Sequence, residues 1–217
     1  LAQRVHDAFR ALILDPEYPC VGSRSALNQG SYRFALYHEL GSEDSTKALA
    51  ADLYTFVKEQ DEIEGEFTTF IAAFDRPKVK DDIEFEQMLW EQLAKLHELD
   101  REDHDWDPSV SGDPNDPRFA FSFAGRAFFV VGLSPAGQRW ARTFPWPLMA
   151  FNAHRQFREL RKSGQFERMQ EVVRERDEKL EGDTNPNLAD WGTHTEARQY
   201  SGREVGEEWR CPVRFDD

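Results

Sequence analysis

Phe119-Ala120-Phe121-Ser122-Phe123-Ala124-Gly125-Arg126-Ala127-Phe128-Phe129-Val130-Val131-Gly132 decides the fold class. Two runs rich in Phe and Val flank Ala124-Gly125-Arg126, the pattern of two antiparallel strands joined by a tight turn. Outward from this hairpin, Tyr32–Leu40 and Phe67–Phe74 read as further strands, and Pro147–Phe151 as one more. Between them lie helical periods. Val5, Phe9, Leu12 and Ile13 give a helix over 1–15 that Asp15-Pro16 stops, and a short helix is expected at 24–29. Leu49, Leu53, Phe56 and Val57 share one face of a helix at 45–60, capped by Ser42 or Ser45. Phe85, Leu89, Leu93 and Leu96 do the same for 81–101. Two further helices are expected at about 153–163 and 165–181, split by Ser163-Gly164. The expectation is an α+β domain over 1–217: a central, mostly antiparallel sheet flanked by helices. Residues 183–217 form a long irregular extension, packed on the body through Trp191, Tyr200 and Trp209.

The charge excludes some functions. A formal net charge of −14 opposes nonspecific binding to nucleic acid or anionic lipid. No run reaches the roughly 18 apolar residues of a membrane span, so the chain reads as cytoplasmic. Cys20 and Cys211 are too few for a Cys₄ zinc site or a disulfide framework. The Asp-rich segment 103–117 lacks EF-hand spacing and reads as a solvated loop. Acidic residues crowd 43–116, while Arg126, Arg139, Arg142, Arg155, Arg158 and Arg161 gather in the middle of the chain. Such a group is either a set of ordinary surface pairs or a seat for an anionic ligand.

Against that background His154 stands out. Asn152 is a good N-cap, which places His154 in a first helical turn, where the positive helix end favours a neutral imidazole. That form ligates a metal or accepts a proton; a hydrogen-bonded structural histidine is the other reading. Arg158 and Arg161 fall on the same helix face. Cys20, in Pro19-Cys20-Val21-Gly22, is either a buried inert thiol or a ligand or nucleophile. No dinucleotide, phosphate-loop, serine-hydrolase or zinc-protease motif is present.

Several strings together resemble the YqcI/YcgG family. They are Pro19-Cys20-Val21-Gly22-Ser23-Arg24-Ser25, then Gly132-Leu133-Ser134-Pro135, then Phe151-Asn152-Ala153-His154-Arg155-Gln156-Phe157. Glu196-Ala197-Arg198-Gln199-Tyr200-Ser201-Gly202-Arg203 and Trp209-Arg210-Cys211-Pro212 complete the set. The resemblance implies a haem-dependent oxygenase that N-hydroxylates a guanidine or amine nitrogen of arginine or a related small molecule. The alternative is a haem-binding or haem-sensing protein without turnover. The resemblance implies haem b; His154 is the expected iron ligand, with Cys20 as the alternative. Arg158 or Arg161 would pair with the propionates, and Arg142, Phe151 and Phe157 would be further cofactor contacts. Glu196 would receive the substrate guanidinium. O₂ and an external electron donor such as a ferredoxin are required, because no flavin or nicotinamide motif is present. The resemblance departs at Ser134, where members often carry His. Ser134 is therefore a candidate catalytic position at which activity would be altered.

Overall fold

The computed structural model describes residues 1–188 and 192–215, so Trp191 lies outside the described residues. Five strands form one sheet in the order β1-β2-β5-β4-β3: β1 Tyr32–Glu39, β2 Thr69–Arg76, β3 Phe121–Phe123, β4 Arg126–Leu133 and β5 Leu148–Ala153. Only β1 and β2 are parallel; the other three pairings are antiparallel. The parallel pair needs a crossover, and helix α3 (Glu43–Glu59) supplies it. The architecture is α+β with a mostly antiparallel sheet.

Strand alternation sends neighbouring side chains to opposite faces. On β2, Phe70, Ala72 and Phe74 enter the larger core, while Ile71 and Ala73 enter a second one. The larger core sits under α3 and α4 (Asp82–Asp100). There Leu49, Leu53, Phe85, Leu89 and Trp90 close on Phe128, Val130 and Phe151 without leaving exposed surface. The second face is covered by α1 (Ala2–Leu14) and α2 (Val21–Gln29), through Val5, Phe9, Ile13 and Leu27. It is completed by α5 (His154–Lys162) and α6 (Phe166–Glu181).

Local chemistry explains most boundaries. Ser42 caps α3 by accepting Ser45 N–H, and Asp81 caps α4 by accepting Glu84 N–H. The hairpin turn puts Ala124 at φ 52° and Gly125 at φ 68°, the left-handed pair that fits strand twist. Asp100 holds Ala124 there by accepting its N–H at 2.8 Å.

Three expectations need correction. Helix α2 begins at Val21, three residues before the expected 24, with Cys20 as its N-cap residue. Asn152 is not the cap of α5. It lies in β5, and its Nδ2 donates to Phe129 O, because β5 stays in register with β4 as far as Ala153. Strand therefore passes straight into helix, and Ala153 offers no capping side chain. The tail also contains a short helix, α7 (Ala197–Tyr200), inside the stretch expected to be irregular. It is tied to the body by Glu86, which accepts two hydrogen bonds from Arg203 (2.6 and 2.9 Å) and one each from Ser201 Oγ and Trp209 Nε1.

Candidate functional site

The second face of the sheet is not filled. A cleft of about 250 Å³ opens between the sheet, α2, α6 and the tail. Its floor is the alternate set that points away from the larger core: Thr69 and Ile71 of β2, Phe129 and Val131 of β4, Ala150 and Asn152 of β5. Phe9 and Ile13 of α1 form one wall, and Phe166, Met169 and Val173 of α6 the facing one. Phe157 stands edge-on to both Phe129 and Phe166.

A few polar groups interrupt this apolar lining. At one end Arg142 donates to Gly132 O and Gln199 O, both at 3.1 Å. Burial lowers its pKa from the ordinary arginine value, and among the described residues no carboxylate lies within ion-pair distance. A guanidinium nonetheless stays protonated, so this end of the cleft is cationic. Beside it, Arg139 pairs with Asp177 at 2.9 Å and with Asp183 and Glu204 at 3.0 Å. That network ties α6 and the tail to the 3-10 turn Trp140–Arg142. Also at the lining, Cys20 presents Sγ at the start of α2, where it accepts Ser23 Oγ–H at 3.0 Å.

Glu196 is the carboxylate of the opposite wall. Only 9% of the residue is exposed, and its Oε2 stands 3.4 Å from His154 Nε2. Burial lowers the pKa of Arg161 from the ordinary arginine value, and the Glu196 carboxylate is near enough to offset part of that. The Arg161 guanidinium also covers the Phe166 ring at 4.9 Å.

The site residues expected from sequence therefore divide. Cys20, Arg142, Phe157 and Glu196 line one cleft. His154 lies behind Glu196, 2% exposed and not itself at the lining, with Arg161 in the same neighbourhood. The Arg158 charge is near enough to act on both Arg161 and Asp107. Phe151 points into the larger core against Phe128 and Phe121, because its neighbours Ala150 and Asn152 take the cleft side. Ser134 is buried in a turn, its Oγ accepting Ala136 N–H, and lines no part of the cleft.

Asp177, Thr69 and Gln156 are lining residues that the sequence does not mark out, and His194 stands at the lining with them. The strand period contains a signal for one more, Asn152: a polar side chain in phase with Ala150 marks the wetter face. Among the described residues no three His, Cys, Asp or Glu side chains gather to hold a metal ion. A haem asks less, since its iron needs one axial side chain. No helix of the described residues is long and apolar enough to cross a membrane.

The protein is thus of α+β class, a mixed sheet with an apolar cleft that is cationic at one end and carries a buried carboxylate in its wall. The chain belongs to the YqcI/YcgG family, whose model matches residues 9–214. It is 25% identical over 208 residues to YcgG of Bacillus subtilis (strain 168), described as uncharacterised, covering 91% of this chain and 81% of that protein. YqcI of the same organism is 26% identical over 200 residues, with 87% and 76% covered. A protein of Streptomyces lavendulae named putative N(omega)-hydroxy-L-arginine synthase DcsA is 28% identical over 140 residues, 61% of this chain and 52% of that one. No solved structure matches the chain.

Proposed function

We propose that the protein is a haem-dependent oxygenase that N-hydroxylates a guanidine or amine nitrogen of arginine or a related small molecule. The observation that carries this reading is Glu196, a buried carboxylate in the wall of an apolar cleft. A guanidinium meets a carboxylate through two parallel charge-assisted hydrogen bonds, and inside an apolar cleft that pairing discriminates strongly against neutral ligands. The similarity to a protein named as a hydroxy-arginine synthase supports the same substrate class.

The residues present fit a haem better with Cys20 than with His154 as the iron ligand. Cys20 Sγ is at the lining, at the N-terminus of a nine-residue helix, and takes a hydrogen bond from Ser23. His154 sits behind Glu196. Arg142 would be the cation for a propionate, and Phe157, Phe129 and Phe166 would pack on the flat ring and keep water from it. The haem, when bound, supplies the oxidation of the N–H by O₂ with two electrons from an external donor such as a ferredoxin. Glu196 holds the guanidinium and orients the nitrogen to be oxidised.

The test is spectroscopic first. Protein made in cells fed a haem precursor is expected to show a Soret band, and Cys20→Ser to remove or shift it while His154→Ala leaves the ligand type unchanged. A colourless protein that also ignores added haemin ends the haem reading. The reduced holoprotein is then given arginine, agmatine and other guanidines under O₂. Product carrying one added oxygen on nitrogen is expected, and Glu196→Gln is expected to weaken guanidine binding roughly 100-fold by removing the charge. Haem without any such product would identify a haem-binding or haem-sensing protein instead.

A further inference from the structure

We propose that the free edge of the sheet pairs with a second copy of this chain, β1 against the partner's β1, antiparallel and centred on Leu36. The proposal does not depend on the oxygenase reading.

The hydrogen-bond phase of the sheet shows which groups of β1 are open. Thr68 O accepts Ala153 N–H and Phe74 N–H donates to Pro147 O, so the even positions from Thr68 to Phe74 face β5, and only at the strand end does Arg76 O turn to β1, accepting Leu40 N–H. Ile71 and Ala73 therefore face β1, where Phe34 and Leu36 are their register partners. In a parallel ladder a residue bonds to the two positions flanking its register partner. Arg33, Ala35 and Tyr37 thus bond to β2, while the N–H and C=O of Phe34 and Leu36 project from the edge. Among the described residues no loop backbone covers them. The strand carries neither Pro nor Lys, the usual protections of an edge. The other edge, β3, is three residues long and buried.

Charge selects the partner and the register. A two-fold axis at Leu36 sets Arg33 opposite the partner's Glu39, and the same pair forms again at the other end. Arg33 and Glu39 are both exposed, as such pairing requires. Moving the axis to Ala35 would set Arg33 against the partner's Tyr37 and leave Glu39 beyond the paired strand. Phe34 and Leu36, half-buried on the α1 side, gain cover in the same arrangement. The occupant that answers this edge is its own copy.

The full chain is examined by analytical ultracentrifugation over roughly 1–100 µM, where an interface of ordinary strength is populated. A dimer is expected. R33E places like charges opposite each other twice and is expected to weaken it roughly tenfold, and R33E/E39R, which exchanges the charges, to restore it. E59Q removes the Glu59 partner of Arg33 within the protomer and is expected to leave the dimer intact. L36P removes an outward N–H without touching the ladder to β2 and is expected to abolish it. A monomer across the range overturns the proposal. So does a dimer indifferent to R33E, or one that the charge exchange fails to restore.

Discussion

The two faces of the sheet are built from the same strands and solve different problems. Under α3 and α4, rings and leucines close on each other until nothing is exposed, with Trp90 stacked on Tyr200 at 5.4 Å. Under α1, α2 and α6, smaller floor residues such as Thr69, Ala150 and Asn152 leave a void, and the ion pairs of Arg139 tie α6 and the tail beside it. Native interiors are packed nearly as densely as crystals, so a persistent gap on one face of a well-packed sheet points to a ligand. One face is thus closed core and the other holds the cleft of the proposed site.

Adjacent residues of β4 give the sharpest way to break this comparison. Phe128 enters the closed core and Phe129 the cleft. Phe128→Ala is expected to cost about 4 kcal/mol in urea unfolding, and Phe129→Ala roughly half of that, since it enlarges a space already open. Equal losses would mean that the two faces are energetically alike. Next in size is Arg139→Met, expected to cost about 3 kcal/mol because it leaves Asp177 buried without its cation. It is also expected to loosen α6, which hydrogen exchange would show as faster exchange at its C-terminal end.

Asp107 offers a pH test outside the cleft. Burial pushes its pKa up, but hydrogen bonds from Ser109 and Ala127, with the nearby Arg158 charge, outweigh that and hold it below the ordinary 3.8. A depressed folded-state value means the contribution is complete above 3.8 and lost as pH falls through the folded pKa. Asp107→Asn is therefore expected to flatten the acid limb of stability below about pH 4, measured by unfolding at a series of pH values. The smallest effect belongs to the hairpin that serves both faces. Ala124→Gly relieves the left-handed penalty of an L-residue and is expected to stabilise by up to about 1 kcal/mol, read as a higher Tm.

Much of this is legible in the chain. The Phe- and Val-rich runs were strands, the i, i+4 leucines of 81–101 were a core-facing helix, and Ser42 was a cap. Asn152 shows where local reading stops. As a residue before a helix it looks like a cap, but pairing with β4 keeps it in a strand and commits its amide to Phe129 O. Phe151 shows the same limit, since one position along a strand exchanges cleft for core.

His154, Arg158 and Arg161 share a helical period, yet His154 stands beside Glu196, Arg161 covers the Phe166 ring and the Arg158 charge reaches Asp107. Periodicity reports direction around a helix, not what stands opposite. Residue types and spacings by themselves determined the strands, most helices, the acidic surface and the roster of candidate residues. Only the tertiary structure decided that Cys20, Arg142, Phe157 and Glu196 line one space and that His154 stands behind it. Those residues are far apart along the chain, and the β1-β2-β5-β4 pairing together with strand alternation determines which of their side chains meet.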